Sequence, residues 1–115
     1  YKQALKAGCD KLIIILTRPR DYIKRDEPAI RLAERYYRKN PEFVEAMRTR
    51  AARYNECVNE IKQLQSEGKV CVFTPKTTFN VSRTEGDPVK LKRLYDHGYN
   101  HAEWAAHQLK DYLNK

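Results

Sequence analysis

Residues 11–17, KLIIILT, read as a continuous run of branched aliphatic side chains with no polar alternation. A strand covered on both faces has that character, because neither face needs polar residues for water, and such strands sit inside parallel sheets. A second run of the same kind, residues 70–74 (VCVFT), ends at Pro75. Between the two lies a long stretch of helical periodicity. Strand, helical crossover and strand predict a parallel pair joined by a right-handed connection.

The crossover divides at its start signals. Pro19 ends the first strand, and a charged, irregular loop runs to Asp26. Pro28 suits the first helical position, with Asp26 and Glu27 at the positive end of the helix. Ile30, Ala33 and Tyr37 then share a face, with Leu32 and Tyr36 beside it. Asn40, Pro41 and Glu42 repeat the start signal. From there Val44, Met47, Ala51, Tyr54, Val58 and Ile61 recur at spacings of three and four. That seam would run roughly 25 residues, or ~38 Å at 1.5 Å per residue, which is long for a small domain. A break near residues 49–53 is therefore expected.

The flanks follow the same rules. Residues 1–7 read as the last turns of a helix capped by Gly8, and Gly68 is the corresponding cap before the second strand. Residues 76–86 form a loop. Asp87 and Pro88 open a helix carrying Leu91, Leu94 and Tyr95, which Gly98 should close. Asn100 then caps a last helix with Ala102, Ala105, Ala106, Leu109 and Leu113 on its inner face. The expectation is an α/β, mostly helical fragment with two short parallel strands. It forms a single domain over 1–115, subdivided into a strand-helices-strand unit (1–75) and a C-terminal helical pair (76–115).

Two fully buried strands need neighbours at their edges and helices on both faces, and two strands do not supply them. The missing strands are expected in sequence before Tyr1, as are the initiator methionine and the start of the first helix. Without them an apolar strand edge is left bare or covered by a second copy of the chain.

Composition bounds the function. A chain of 115 residues holds one modest core, burying about 60 to 70 per cent of its unfolded surface. No apolar run approaches the roughly 18 residues that span a bilayer. Cys9, Cys57 and Cys71 are widely spaced, which fits neither a disulfide framework nor a zinc knuckle and agrees with a reducing cytoplasm. The net charge of +8 would attract phosphate-rich partners. Because Lys and Arg are interleaved with Asp and Glu along the helices, a solvated surface is the simpler account and nucleic acid is not the favoured partner. No metal or cofactor is expected: His97 and His101 stand at metal-ligand spacing, but Gly98 and Asn100 interrupt their helix and no third ligand is near in sequence. Tyr36, Tyr37 and Tyr54 have basic neighbours, yet aromatic positions at helical spacing read as core.

One candidate contact remains. Arg18 and Arg20 follow the carboxyl end of the first strand, the side on which open α/β sheets bind ligands. They could hold a phosphate or lipid headgroup by paired hydrogen bonds. Salt bridges to Asp21, Asp26 or Glu27 are the alternative.

The segments GCDKLIIILTRPRDY (8–22), YYRKNPEFVEAM (36–47), RYNECVNEIKQLQSEGKVCVFTP (53–75) and VSRTEGDPVKLKRLYDHGY (81–99) together resemble the C-terminal region of bacterial patatin-like phospholipases. The resemblance covers nearly the whole chain, and ILTRPR and the VSR…DP…LY..GY spacing are its most distinctive parts. It implies an α/β serine acyl hydrolase with a Ser-Asp dyad. In relatives the serine lies in Gly-x-Ser-x-Gly, the aspartate in an Asp-Gly motif a short way before the equivalent of Tyr1, and a Gly-rich oxyanion loop further upstream. None of these motifs occurs here. Gly8, Gly68, Gly86 and Gly98 never fall four apart, no Asp precedes Gly, and Ser66 and Ser82 lack a positioned base. The implied role is structural, extending the sheet of a catalytic portion in the same polypeptide, with lipid met through that parent. A free-standing basic module for nucleic acid or an anionic membrane surface is the alternative.

Overall fold

The computed structural model describes residues 1–26 and 28–114. Along the chain run α1 (Lys2–Lys6), β1 (Leu12–Ile15), α2 (Ile30–Tyr36), α3 (Pro41–Ser66), β2 (Val70–Phe73) and α4 (Pro88–Asn114). The protein is thus mostly helical with one small sheet. The two strands are adjacent and parallel, in the register Leu12 to Val70, Ile13 to Cys71, Ile14 to Val72 and Ile15 to Phe73. Two compact units divide the chain, one holding residues up to Tyr22 and from Leu64 onward, the other Ile23–Gln63.

Both predicted glycine caps form. Gly8 and Gly68 have φ of +85° and +71°. In each case the glycine N–H and the next residue's N–H return to the last turn: Gly8 to Leu5 and Cys9 to Ala4, Gly68 to Gln65 and Lys69 to Leu64. This paired pattern satisfies carbonyls that a helix end otherwise leaves open. Each cap turns the chain sharply into a strand.

The first unit is built on the sheet and α4. Its buried residues are Leu12, Val70, Cys71 and Ala105. The expected coverage of β1 on both faces does not hold. Leu12 is buried, whereas Ile13 and Ile15, on the opposite face, are 46 % and 75 % exposed. A two-stranded sheet has too little neighbouring structure to cover both sides of a wholly aliphatic strand.

The predicted closure of a helix at Gly98 is also corrected. One 27-residue helix, α4, replaces the expected pair over 76–115. Asp87 starts it as foreseen, its Oδ1 accepting the Val89 N–H at 2.9 Å. Gly98 costs a helix interior about 1 kcal/mol relative to alanine, but it does not forbid the conformation. The seam through Leu94, Ala105 and Leu109 continues past it, and the Lys92–Asp96 pair at 2.6 Å braces the preceding turn. Nothing lies within 4 Å of a Cβ built at Gly98. Gly98→Ala should therefore stabilise the protein by about 0.5–1 kcal/mol and raise the melting temperature by roughly 2–5 °C. Thermal unfolding followed by circular dichroism checks this.

The second unit centres on α3, whose buried residues are Ala51, Val58 and Ile61. No break occurs at 49–53: α3 runs unbroken for 26 residues. The stretch contains neither Gly nor Pro, and Thr49 is satisfied within the helix because its hydroxyl donates to the Glu45 carbonyl at 2.9 Å. The Asn55 side chain grips the extended segment before α2, accepting the Lys24 N–H at 2.8 Å and donating to the Lys24 carbonyl at 2.9 Å. A capping role for Glu27 lies outside the described residues. The short α2 buries none of its residues, and Tyr36 is 80 % exposed, its ring edge-on to Tyr37 at 4.9 Å. The core reading is corrected for Tyr36 and for Tyr37, which is 40 % exposed, while Tyr54 on α3 is half-buried: seven residues of helix present too narrow a face to submerge the first two rings.

Candidate functional site

The ladder between β1 and β2 is completed by a side chain. Leu16 donates its N–H to the Phe73 carbonyl at 2.9 Å. The same step along both strands would carry the Leu12 N–H to the Lys69 carbonyl. The Tyr112 hydroxyl stands between those two groups, accepting from Leu12 at 3.0 Å and donating to Lys69 at 2.9 Å. Lys11 Nζ donates to the Leu113 carbonyl beside it. The end of α4 is therefore pinned to the amino ends of both strands.

At the other side of β1 the backbone is open. In a strand, successive residues aim their N–H and C=O to opposite edges. Since Leu12 and Leu16 point toward β2, Ile13 and Ile15 point away, and among the described residues no hydrogen bond reaches their main chain. Their side chains, with Phe73, form one wall of an apolar groove of about 470 Å³ whose other wall is the Leu94, Ala102, Ala105 and Leu109 face of α4. An unpaired edge next to an exposed aliphatic face is a template for a further strand.

A second cavity, about 330 Å³, opens beyond the carboxyl ends of both strands. Arg20, Asp21, Lys76, His101, Gln65 and Gln108 supply its polar lining. The two candidate arginines part company here: Arg20 lines the cavity, whereas the Arg18 guanidinium lies over the Tyr22 ring, 5.2 Å from its centroid. Pro19 between them fixes the turn that sends them apart. Neither makes an ion pair among the described residues, so the salt-bridge alternative is not realised there; a bridge to Glu27 lies outside those residues. Lys76 was not singled out by the sequence. The signal was present, since it follows β2 and Pro75 just as Arg20 follows β1 and Pro19.

His97 and His101 lie on one uninterrupted helix, with rings parallel to within 6° and centroids 6.4 Å apart. Among the described residues no cluster of three metal-ligand side chains forms. Burial pushes the Cys71 thiol up, so it stays protonated and weakly nucleophilic at neutral pH. Ser82 is exposed in the loop before α4. In the second unit the Arg48–Glu34 hydrogen bond of 2.7 Å holds the Glu34 carboxyl below its ordinary range. It is an exposed pair and a minor contributor to stability. No helix of the described residues is long and apolar enough to cross a membrane.

Neither a curated protein nor a solved structure matches the chain. A family model described as a domain of unknown function, DUF6363, matches residues 40–114, the stretch from the start of α3 through β2 to the end of α4, and the chain belongs to that family.

Proposed function

We propose that this segment is the C-terminal structural portion of a patatin-like lipid acyl hydrolase, in which β1 and β2 extend the sheet of a catalytic portion lying before Tyr1. The observation that supports this is the open β1 edge: unpaired main chain at Ile13 and Ile15, exposed aliphatic side chains, and an apolar groove alongside. A strand of the same polypeptide laid on that edge would pair the main chain and cover the face. The parent reaction would be ester hydrolysis through an acyl-enzyme formed on an upstream serine, with the residues described here shaping the wall. A reducing cytoplasm suits its three free thiols.

The test compares two lengths of chain. A charge at a position covered by neighbouring structure costs several kcal/mol, whereas the same charge in water costs little. Ile15→Lys should therefore leave the melting temperature of residues 1–115 nearly unchanged. In the longer protein it should lower that temperature strongly and reduce turnover of p-nitrophenyl esters. Equal effects in both, or an upstream reading frame without Gly-x-Ser-x-Gly and Asp-Gly, would overturn the proposal.

A further inference from the structure

We infer that the cavity beyond the carboxyl ends of β1 and β2 is an anion site that takes a phosphate group, with Arg20 and Lys76 as its charged donors. The inference stands apart from the sheet-extending role, since its charged donors Arg20 and Lys76 line neither the β1 edge nor the apolar groove, although the two cavities share Phe73, Thr74, Pro75 and His101.

Position is the first argument. In open α/β sheets the crevice outside the carboxyl ends of parallel strands is where ligands bind, because the strands end there and the following loops diverge. Here the chain leaves β1 through Pro19 and Arg20, and leaves β2 through Pro75 and Lys76, so each strand delivers one cation to the same cavity. Each proline limits the freedom of the turn that carries the cation.

Unused donors are the second argument. Among the described residues Arg20 has no ion pair, and the Gln65 and Gln108 side-chain amides have no hydrogen bond. A guanidinium fork, an ammonium and two amides around about 330 Å³ match the oxygens of a phosphate, which accepts several charge-assisted hydrogen bonds at once. Lys76 is partly held in place: its Nζ lies 5.6 Å from the Trp104 ring centroid, and that ring stacks on His101 at 6.0 Å. Asp21 is the one anion in the lining and opposes binding. Against it stand Arg20 and Lys76. Arg18 serves as the internal control, because it is adjacent in sequence, carries the same charge and is turned onto Tyr22.

Nuclear magnetic resonance titration of the 115-residue chain with sodium phosphate at constant ionic strength tests the site. Shifts should centre on Thr74, Lys76, His101 and Gln108, with a Kd on the order of 1 mM. Arg20→Gln and Lys76→Gln should each weaken binding about tenfold, and Arg18→Gln less than about twofold. Melting curves of all three variants separate lost binding from lost folding. Shifts scattered over the basic surface, or an Arg18→Gln effect equal to that of Arg20→Gln in folded proteins, would overturn the inference. The source of the phosphate is read from vesicles. Sedimentation with phosphatidylglycerol but not phosphatidylcholine vesicles, reversed by free phosphate and lost in Arg20→Gln, assigns a lipid headgroup. Phosphate binding without sedimentation assigns a soluble phosphate.

Discussion

Replacing Ile61 by alanine is expected to lower the unfolding free energy by about 2–5 kcal/mol, the usual cost of emptying a buried isoleucine site. Ile61 is 4 % exposed and continues the seam that begins at Val44. Few side chains here are buried to that degree, so little else can take over its contribution. Small domains have roughly 5–15 kcal/mol in total, and a loss of this size is a large share of it. Urea unfolding should show the midpoint falling by on the order of 1–2 M at nearly constant slope. Leu32→Ala is the contrast. Leu32 is 71 % exposed on α2 and should move stability by no more than about 0.5 kcal/mol. If the two variants unfold alike, Ile61 is not in a core.

Tyr112→Phe is the second large effect. The substitution keeps the ring and removes one oxygen, yet that oxygen serves both the Leu12 N–H and the Lys69 carbonyl. The phenylalanine ring would still hold these two groups too far apart to bond directly. The expected cost is about 1–2 kcal/mol, carried by the part-buried Leu12 N–H left without an acceptor, since the Lys69 carbonyl is exposed and can turn to water. Amide exchange should show where the loss falls: the Leu12 amide should exchange about tenfold faster or more, while amides in the middle of α3 follow only the global change. Unchanged protection at Leu12 would mean that the hydroxyl does not complete the ladder.

The strands, the Gly8 and Gly68 caps and the starts of α3 and α4 are legible because each is written in a few consecutive residues. By contrast, α2 begins at Ile30, two residues after Pro28, and Asn100 starts no helix because it lies inside α4. Residues 11–17 and 70–74 carry their own pattern, and Gly8, Gly68 and the Asp87–Pro88 pair act on the turn beside them. The errors came where a local signal competed with a longer one. Gly98 is a local stop that a continuous seam overrode at about 1 kcal/mol. Domain size argues for a break at 49–53, but no residue there opposes a helix and α3 runs through. Arg18 and Arg20 were legible as a pair after β1, but which of them faces the cavity depends on the turn at Pro19. Tyr112 could not be read at all as a sheet residue. Its partners are 100 and 43 residues away, and only its position at the end of an apolar seam, with a polar tip, hinted that it had something to reach.

That hydroxyl also orders events in time. β1 is made well before β2, and the bond that finishes their ladder waits for a tyrosine made 100 residues after Leu12. During synthesis the amino ends of both strands therefore stay incompletely paired until the last turns of α4 have emerged. Contacts of such long sequence separation form slowly, since the loop they close must first be gathered in. Until β2 has emerged, the aliphatic strand β1 lacks the partner on the edge that β2 takes, and an unpaired aliphatic edge is the state in which a nascent chain most readily pairs with the wrong neighbour.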